Sequence, residues 1–127
     1  MTEAILFPDA ESLLIRYLEP LLGVPVSTKI RGTYPFVRVN RVGGPRSNLV
    51  TDRAMVTFEA WAANSVDASD LARRARAYVG ALAQSDVNGA WVRSVVEVVG
   101  LTDYPDPLTE TPRYTFTVQM DVRGEPL

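Results

Sequence analysis

The side chains that most often carry chemistry are unevenly supplied in this chain. It has 127 residues, no Cys and no His. Thiol nucleophiles, disulfides, structural zinc sites and the usual neutral-pH general base are therefore outside its means. The serines at 12, 27, 47, 65, 69, 85 and 94 have no His partner, and no G-x-S-x-G occurs. Paired carboxylates can run acid–base chemistry without His, but nothing in the pattern places two of them on rigid neighbouring elements. Asp103, Asp106 and Glu110 form an acidic set that could ligate a hard cation. Their spacing fits no EF-hand loop, and Pro105, Pro107 and Pro112 interrupt them. A plain polar loop is the preferred reading. The chain is expected to be no enzyme and to use no cofactor or metal.

The stretch RVNRVGGPRSN, residues 38–48, is the other place where chemistry could gather. Arg38, Arg41 and Arg46 could touch phosphate. The stretch lacks the G-K-[ST] ending of a P-loop, and it leads into a strand, so no helix N-terminus faces an anion. It is no dinucleotide fingerprint either. Arginines on a solvated strand are the preferred reading over phosphate contact, and the rim of a protein interface stays open.

Composition bounds these options. One domain over 1–127 is the expectation for this length, with enough chain for one core. A formal net charge of -2 argues against a general nucleic-acid binder. Lys29 is the one lysine among 13 basic residues. That bias suits planar, interface-forming cations, and a GC-rich genome would produce it as well. No apolar run reaches the ~20 residues of a membrane span. The opening MTEAILFPDAE has no basic stretch, so no signal peptide and an intracellular product are expected.

The elements that must position these residues follow from periodicity. FPDAESLLIRYLEPLL reads as a helix capped by Asp9, with Ala10, Leu14, Tyr17, Leu18 and Leu21 on one face. Pro20 is expected to stop or kink it at Glu19. VPVSTKIRG alternates, with Val26, Thr28 and Ile30 on one side. YPFVRVNRV turns Val37 and Val39 inward and Arg38 and Asn40 outward. RAMVTFEAWA sets Val56, Phe58 and Ala60 against Met55, Thr57, Glu59 and Trp61. The clearest helix follows, with Ala68, Leu71, Ala72, Ala75, Tyr78, Val79 and Leu82 in one stripe and Asn64, Ser65 or Asp67 as cap. WVRSVVEVV and RYTFTVQMDVRG are further strands, the last alternating throughout.

The order is α-β-β-β-α-β-β. Short connections favour antiparallel pairing. The expected fold is α+β: a single-layer, twisted antiparallel sheet of about five strands with both helices on one face.

Two connections exceed the usual 2–5 residues of a hairpin loop. They are GGPRSNLVTD, 43–52, and LTDYPDPLTETP, 101–112. Prolines stiffen the second and reduce the entropy lost on docking. Trp61 and Trp91 fall near strand ends. A sheet face with Trp, Met and Arg resembles a protein interface, unless the tryptophans merely complete the core edge. The interface candidates are Arg38, Arg41, Arg46, Asn48, Trp61, Asp103, Tyr104 and Asp106.

With the elements in this order, the chain resembles tail terminator (tail-completion) proteins of long, non-contractile-tailed bacteriophages (siphophages). FPDAESLLIRYLEPLLG, YPFVRVNRVGG, VTFEAWA, ASDLARRARAYVGAL and RYTFTVQMDVRG carry the likeness, which spans nearly the whole chain. The resemblance implies a virion structural protein at the head–tail junction, the neck of the particle, assembled from the host cytoplasm. It implies a homohexameric ring that caps the tail tube, stops its polymerisation and joins it to the head-completion (stopper) protein. The implied partners are other copies of itself, the major tail (tube) protein, the stopper and the tape measure protein. Genome DNA would pass through the lumen without specific binding, with no cofactor and no membrane. On this view Arg46 and Asp106 are candidate partners across a subunit interface. The alternatives are another neck component, a stopper or head–tail adaptor, and a small ligand-binding α+β domain with its pocket between sheet and helices.

Overall fold

The computed structural model describes residues 3–127. The chain is α+β, as expected, with two helices and more strands than five. In order these are β1 (Ile5–Leu6), α1 (Ala10–Leu22), β2 (Val26–Ser27), β3 (Phe36–Arg41), β4 (Arg46–Asn48) and β5 (Thr51–Trp61). Then come α2 (Ser65–Gly80), β6 (Ser85–Val87), β7 (Ala90–Asp103), β8 (Arg113–Arg123) and β9 (Glu125–Pro126). The main sheet has seven strands in the order β2-β3-β5-β8-β7-β6, with β4 also paired to β5; β1 and β9 form a separate pair.

The long central strands form where alternation is strongest. β5 and β8 pair antiparallel over their full length, Thr51 opposite Arg123 through Trp61 opposite Arg113. On one face the partners Phe58 and Phe116 stack with centroids 4.8 Å apart. On the other face the partners Thr57 and Thr117 share a hydroxyl hydrogen bond of 2.8 Å. Matched apolar pairs inside and matched polar pairs outside lock the register, because a slip of one residue would exchange the faces.

Both helices lie on the face of Val56, Phe58 and Phe116. Leu14 and Leu18 of α1 and Ala72, Ala75 and Val79 of α2 pack there with Val37, Val39, Val118 and Met120. Full burial of each large apolar side chain contributes about 1.5–3 kcal/mol before entropic costs. These side chains fill the space between sheet and helices. The Tyr17 hydroxyl donates to the Tyr78 carbonyl at 2.8 Å and ties α1 to α2.

Both helix starts match their sequence signals. Asp9 accepts from the amides of Glu11 and Ser12, and Asn64 from that of Asp67 at 2.9 Å. The end of α1 does not match. Pro20 lies inside the helix, which runs on to Leu22 and closes at Gly23, φ +69°. Arg16 and Pro20 are both exposed, so the carbonyl that Pro20 cannot bond is accessible to water. A left-handed glycine cap ends the helix in place of the proline. Leu13 and Leu22 are buried, while Leu21 is 40% exposed.

The first expected strand, VPVSTKIRG, is mostly lost. β2 keeps two residues, and it pairs parallel to β3, with Val26 opposite Val37. A parallel neighbour obliges the chain to travel back before β3 begins. Residues 28–35 make that return, so Thr28 and Ile30 are exposed. Every other pairing is antiparallel.

Candidate interaction surfaces

The sheet face away from the helices carries a continuous stack at one end. Tyr34 lies on Phe36 at 5.8 Å, and Phe36 on Trp61 at 5.4 Å. The Arg113 guanidinium sits 5.1 Å from the Trp61 ring centre and 4.8 Å from that of Tyr104. Arg113 Nε also donates to the Tyr104 carbonyl at 2.8 Å. Beneath the stack lies Glu59, 7% exposed. Its carboxylate accepts from Trp61 Nε1 at 3.1 Å and Arg38 Nη1 at 3.2 Å, with Arg113 Nη1 at 3.7 Å. A buried carboxylate needs such partners, since removing one leaves an uncompensated charge at a cost of about 3–5 kcal/mol.

This geometry fixes where three of the interface candidates lie. Trp61 is 1% exposed and offers no free surface. Arg38 is held by Glu59 and by the Thr28 carbonyl at 3.1 Å. Tyr104 is the outer plate of the stack and remains 55% exposed. The tryptophan that does face solvent is Trp91, 41% exposed, at the far end of the sheet. Periodicity treats the two tryptophans alike. Trp61 is covered because Phe36 and Arg113, far away in sequence, converge on it.

Arg41 is committed inside the chain too. It donates to both carboxylate oxygens of Asp52, at 2.7 and 2.8 Å, and to the carbonyls of Gly43 and Gly44, each at 3.1 Å. The Asp52 carboxylate raises the Arg41 pKa further above its ordinary value by direct hydrogen bonding. An incoming phosphate would have to displace Asp52. Gly44, φ +89°, is required here, since a Cβ would overlap the Arg53 carbonyl. Half of the supposed long loop 43–52 is a hairpin of two strands, β4 and the start of β5. Arg46 pairs with Asp52 and Asn48 with Thr51, leaving Leu49 and Val50 as the turn. Local spacing hid this because Val42 and Gly43 both bond Met55 and the register shifts again between Arg46 and Asn48, which interrupts the alternation.

The second long connection shortens to residues 104–112, since β7 continues through Asp103. It is ordered by its own bonds. Asp106 accepts from the Thr109 hydroxyl at 2.6 Å and the Thr109 amide at 3.2 Å, while its carbonyl accepts from Glu110 N–H at 2.8 Å. The Thr109 hydroxyl is the main reason the Asp106 pKa falls below the ordinary carboxylate value. Asp106 is therefore spent on the turn. Asp103 and Glu110 are exposed, and Leu108 at the tip is 91% exposed. Among the described residues, no three acidic side chains converge as a cation site would require.

The opposite end of the sheet has a different character. Asn48, Val50, Thr51, Trp91, Arg93 and Arg123 line a concavity of about 320 Å³. Leu49 and Val50 are 45% and 39% exposed beside it. Arg46, Arg93 and Arg123 are exposed and form no ion pair among the described residues. Of these, only Arg46 and Asn48 stand out in the sequence; Arg93 and Arg123 come to this end because β5 and β7 begin where β8 ends.

No family model matches the chain, and no curated protein matches it significantly.

Proposed function

We propose that the chain is a structural virion protein of a siphophage, a tail terminator. Six copies form a ring on the last ring of the tail tube, stop its growth and present the docking surface for the stopper protein. One observation carries this reading: two exposed patches that differ in kind lie at opposite ends of one sheet. The 104–112 turn is acidic and projects Leu108, while the Trp91 end is basic and concave. A ring requires heterologous contacts, hence two unlike patches on each subunit. A two-fold dimer would instead use one self-complementary patch. The likeness of sequence segments to tail terminators, nearly end to end, supplies the particular assembly.

The reading is tested in the particle. A phage lacking this gene should make DNA-filled heads and unattached tails of uncontrolled length, and supplying the protein in trans should restore joined particles. Reconstruction of the particle should place it between tube and stopper; a position elsewhere removes the proposal. The genome must slide through the lumen, so the isolated protein should retain DNA weakly on filters, with little response to salt.

A further inference from the structure

The exposed Leu108 has no role in the chain's own core, and the concavity beside Trp91 has no occupant from the chain itself. We propose that each explains the other: the 104–112 turn of one subunit inserts Leu108 into the Val50–Trp91 concavity of the next. This deepens the ring proposed above and rests on it.

Three observations carry the pairing. First, the projection is stiff. Pro105 and Pro107 lead into the tip, and the Asp106–Thr109 bonds and the Arg113–Tyr104 bond hold its base. A preorganised turn loses little entropy on docking. Second, the charges match. Among the described residues, Asp103 and Glu110 at the base of the projection form no ion pair, and neither do Arg93 and Arg123, which line the concavity. Asp52 and Asp121, close in sequence to that rim, are paired with Arg41 and Arg53, and Asp86 lies opposite Trp91 on β6. Third, the two features cannot meet within one molecule. Asp103 is aligned with Tyr114 at one end of β8, and Val92 with Val122 at the other. The eleven residues of β5, which span the same length, extend about 33 Å. The occupant must come from another copy.

The pairing differs from the Arg46–Asp106 contact that the sequence suggests. Asp106 shapes the projection, Leu108 fills the hole, and Asp103 and Glu110 meet the arginines.

The chain contains no Cys, so introduced thiols report contacts without background. Leu108→Cys and Val50→Cys proteins are mixed and oxidised, with Leu108→Cys plus Ala77→Cys on the exposed face of α2 as the control. The expected result is disulfide formation about tenfold faster in the first mixture, slowed by added salt. Adding Arg93→Glu and Arg123→Glu to the Val50→Cys partner should return the rate to the control. This readout captures transient encounters, so it works even if the free protein is monomeric. Circular dichroism of each variant verifies folding.

Equal rates in the two mixtures overturn the pairing. If the wild-type protein still caps tubes in that case, the ring reading survives with a different interface, such as the β7 edge beyond Arg93. If the disulfide forms but particles place the protein away from the head–tail junction, self-docking stands and the terminator reading falls.

Discussion

Arg41 holds both carboxylate oxygens of Asp52, at 2.7 and 2.8 Å, across the hairpin that follows β3. The same guanidinium holds the carbonyls of Gly43 and Gly44. A cation that looks available for phosphate in the sequence is thus the clasp of its own turn. Arg41→Ala would leave Asp52, 6% exposed, without its counter-charge. We expect a loss of about 2–3 kcal/mol in urea unfolding, and Arg41→Lys to recover less than half because an ammonium cannot form the bidentate contact. A neutral Arg41→Ala result would mean that the clasp contributes nothing.

The two adjacent glycines should separate sharply. At Gly43, φ +100°, an added Cβ meets nothing within 4 Å, whereas at Gly44 it overlaps backbone. Gly43→Ala should cost about 1–2 kcal/mol from the left-handed conformation alone. Gly44→Ala should cost more, because the strand must move as well. Comparable denaturation midpoints for the two variants would contradict the bulge geometry.

The tryptophans give a spectroscopic test of the stack. In Trp91→Phe the remaining Trp61 should emit at short wavelength and resist acrylamide quenching, since it is 1% exposed. In Trp61→Phe the remaining Trp91 should emit further to the red and quench readily. Glu59→Gln removes the negative charge between Arg38 and Arg113 and should lower stability by about 2–3 kcal/mol. Similar quenching of both single-tryptophan proteins would remove the covered end of the sheet.

Asp106 predicts a pH response confined to acid. Its folded pKa is lowered, first by the Thr109 hydroxyl and then by the Thr109 amide, against desolvation. A depressed carboxyl stabilises the fold above its ordinary value of 3.8, and that contribution fades as pH falls through the lower folded value. The turn should therefore be unchanged from pH 5 to pH 8. The Thr109 amide shift, followed by NMR, should titrate with a midpoint below 3.8. A midpoint at or above that value would mean the carboxylate is not held by Thr109. Thr109→Val should raise the midpoint while leaving the core intact.

Local pattern by itself determines a large share of this protein. The stripe Ala68, Leu71, Ala72, Ala75 and Val79 can be buried by only one helical face, and the alternation of residues 113–123 suits only a strand with one face inward. The caps at Asp9 and Asn64 are local as well, each side chain reaching amides two or three residues ahead. The α+β class and the single helical layer follow from these. Tertiary structure decided the rest. The fate of Trp61 depends on Tyr34, Phe36, Glu59 and Arg113, which are brought together by three strands. The shortening of β2 depends on its parallel seat beside β3. The basic concavity depends on β5 and β7 beginning where β8 ends, and its distance from the acidic turn depends on the shared register of β5 and β8. Periodicity reports which face of an element is buried; contacts between distant segments choose its neighbour, and neither the ion pairs nor the two opposed ends exist until that choice is made.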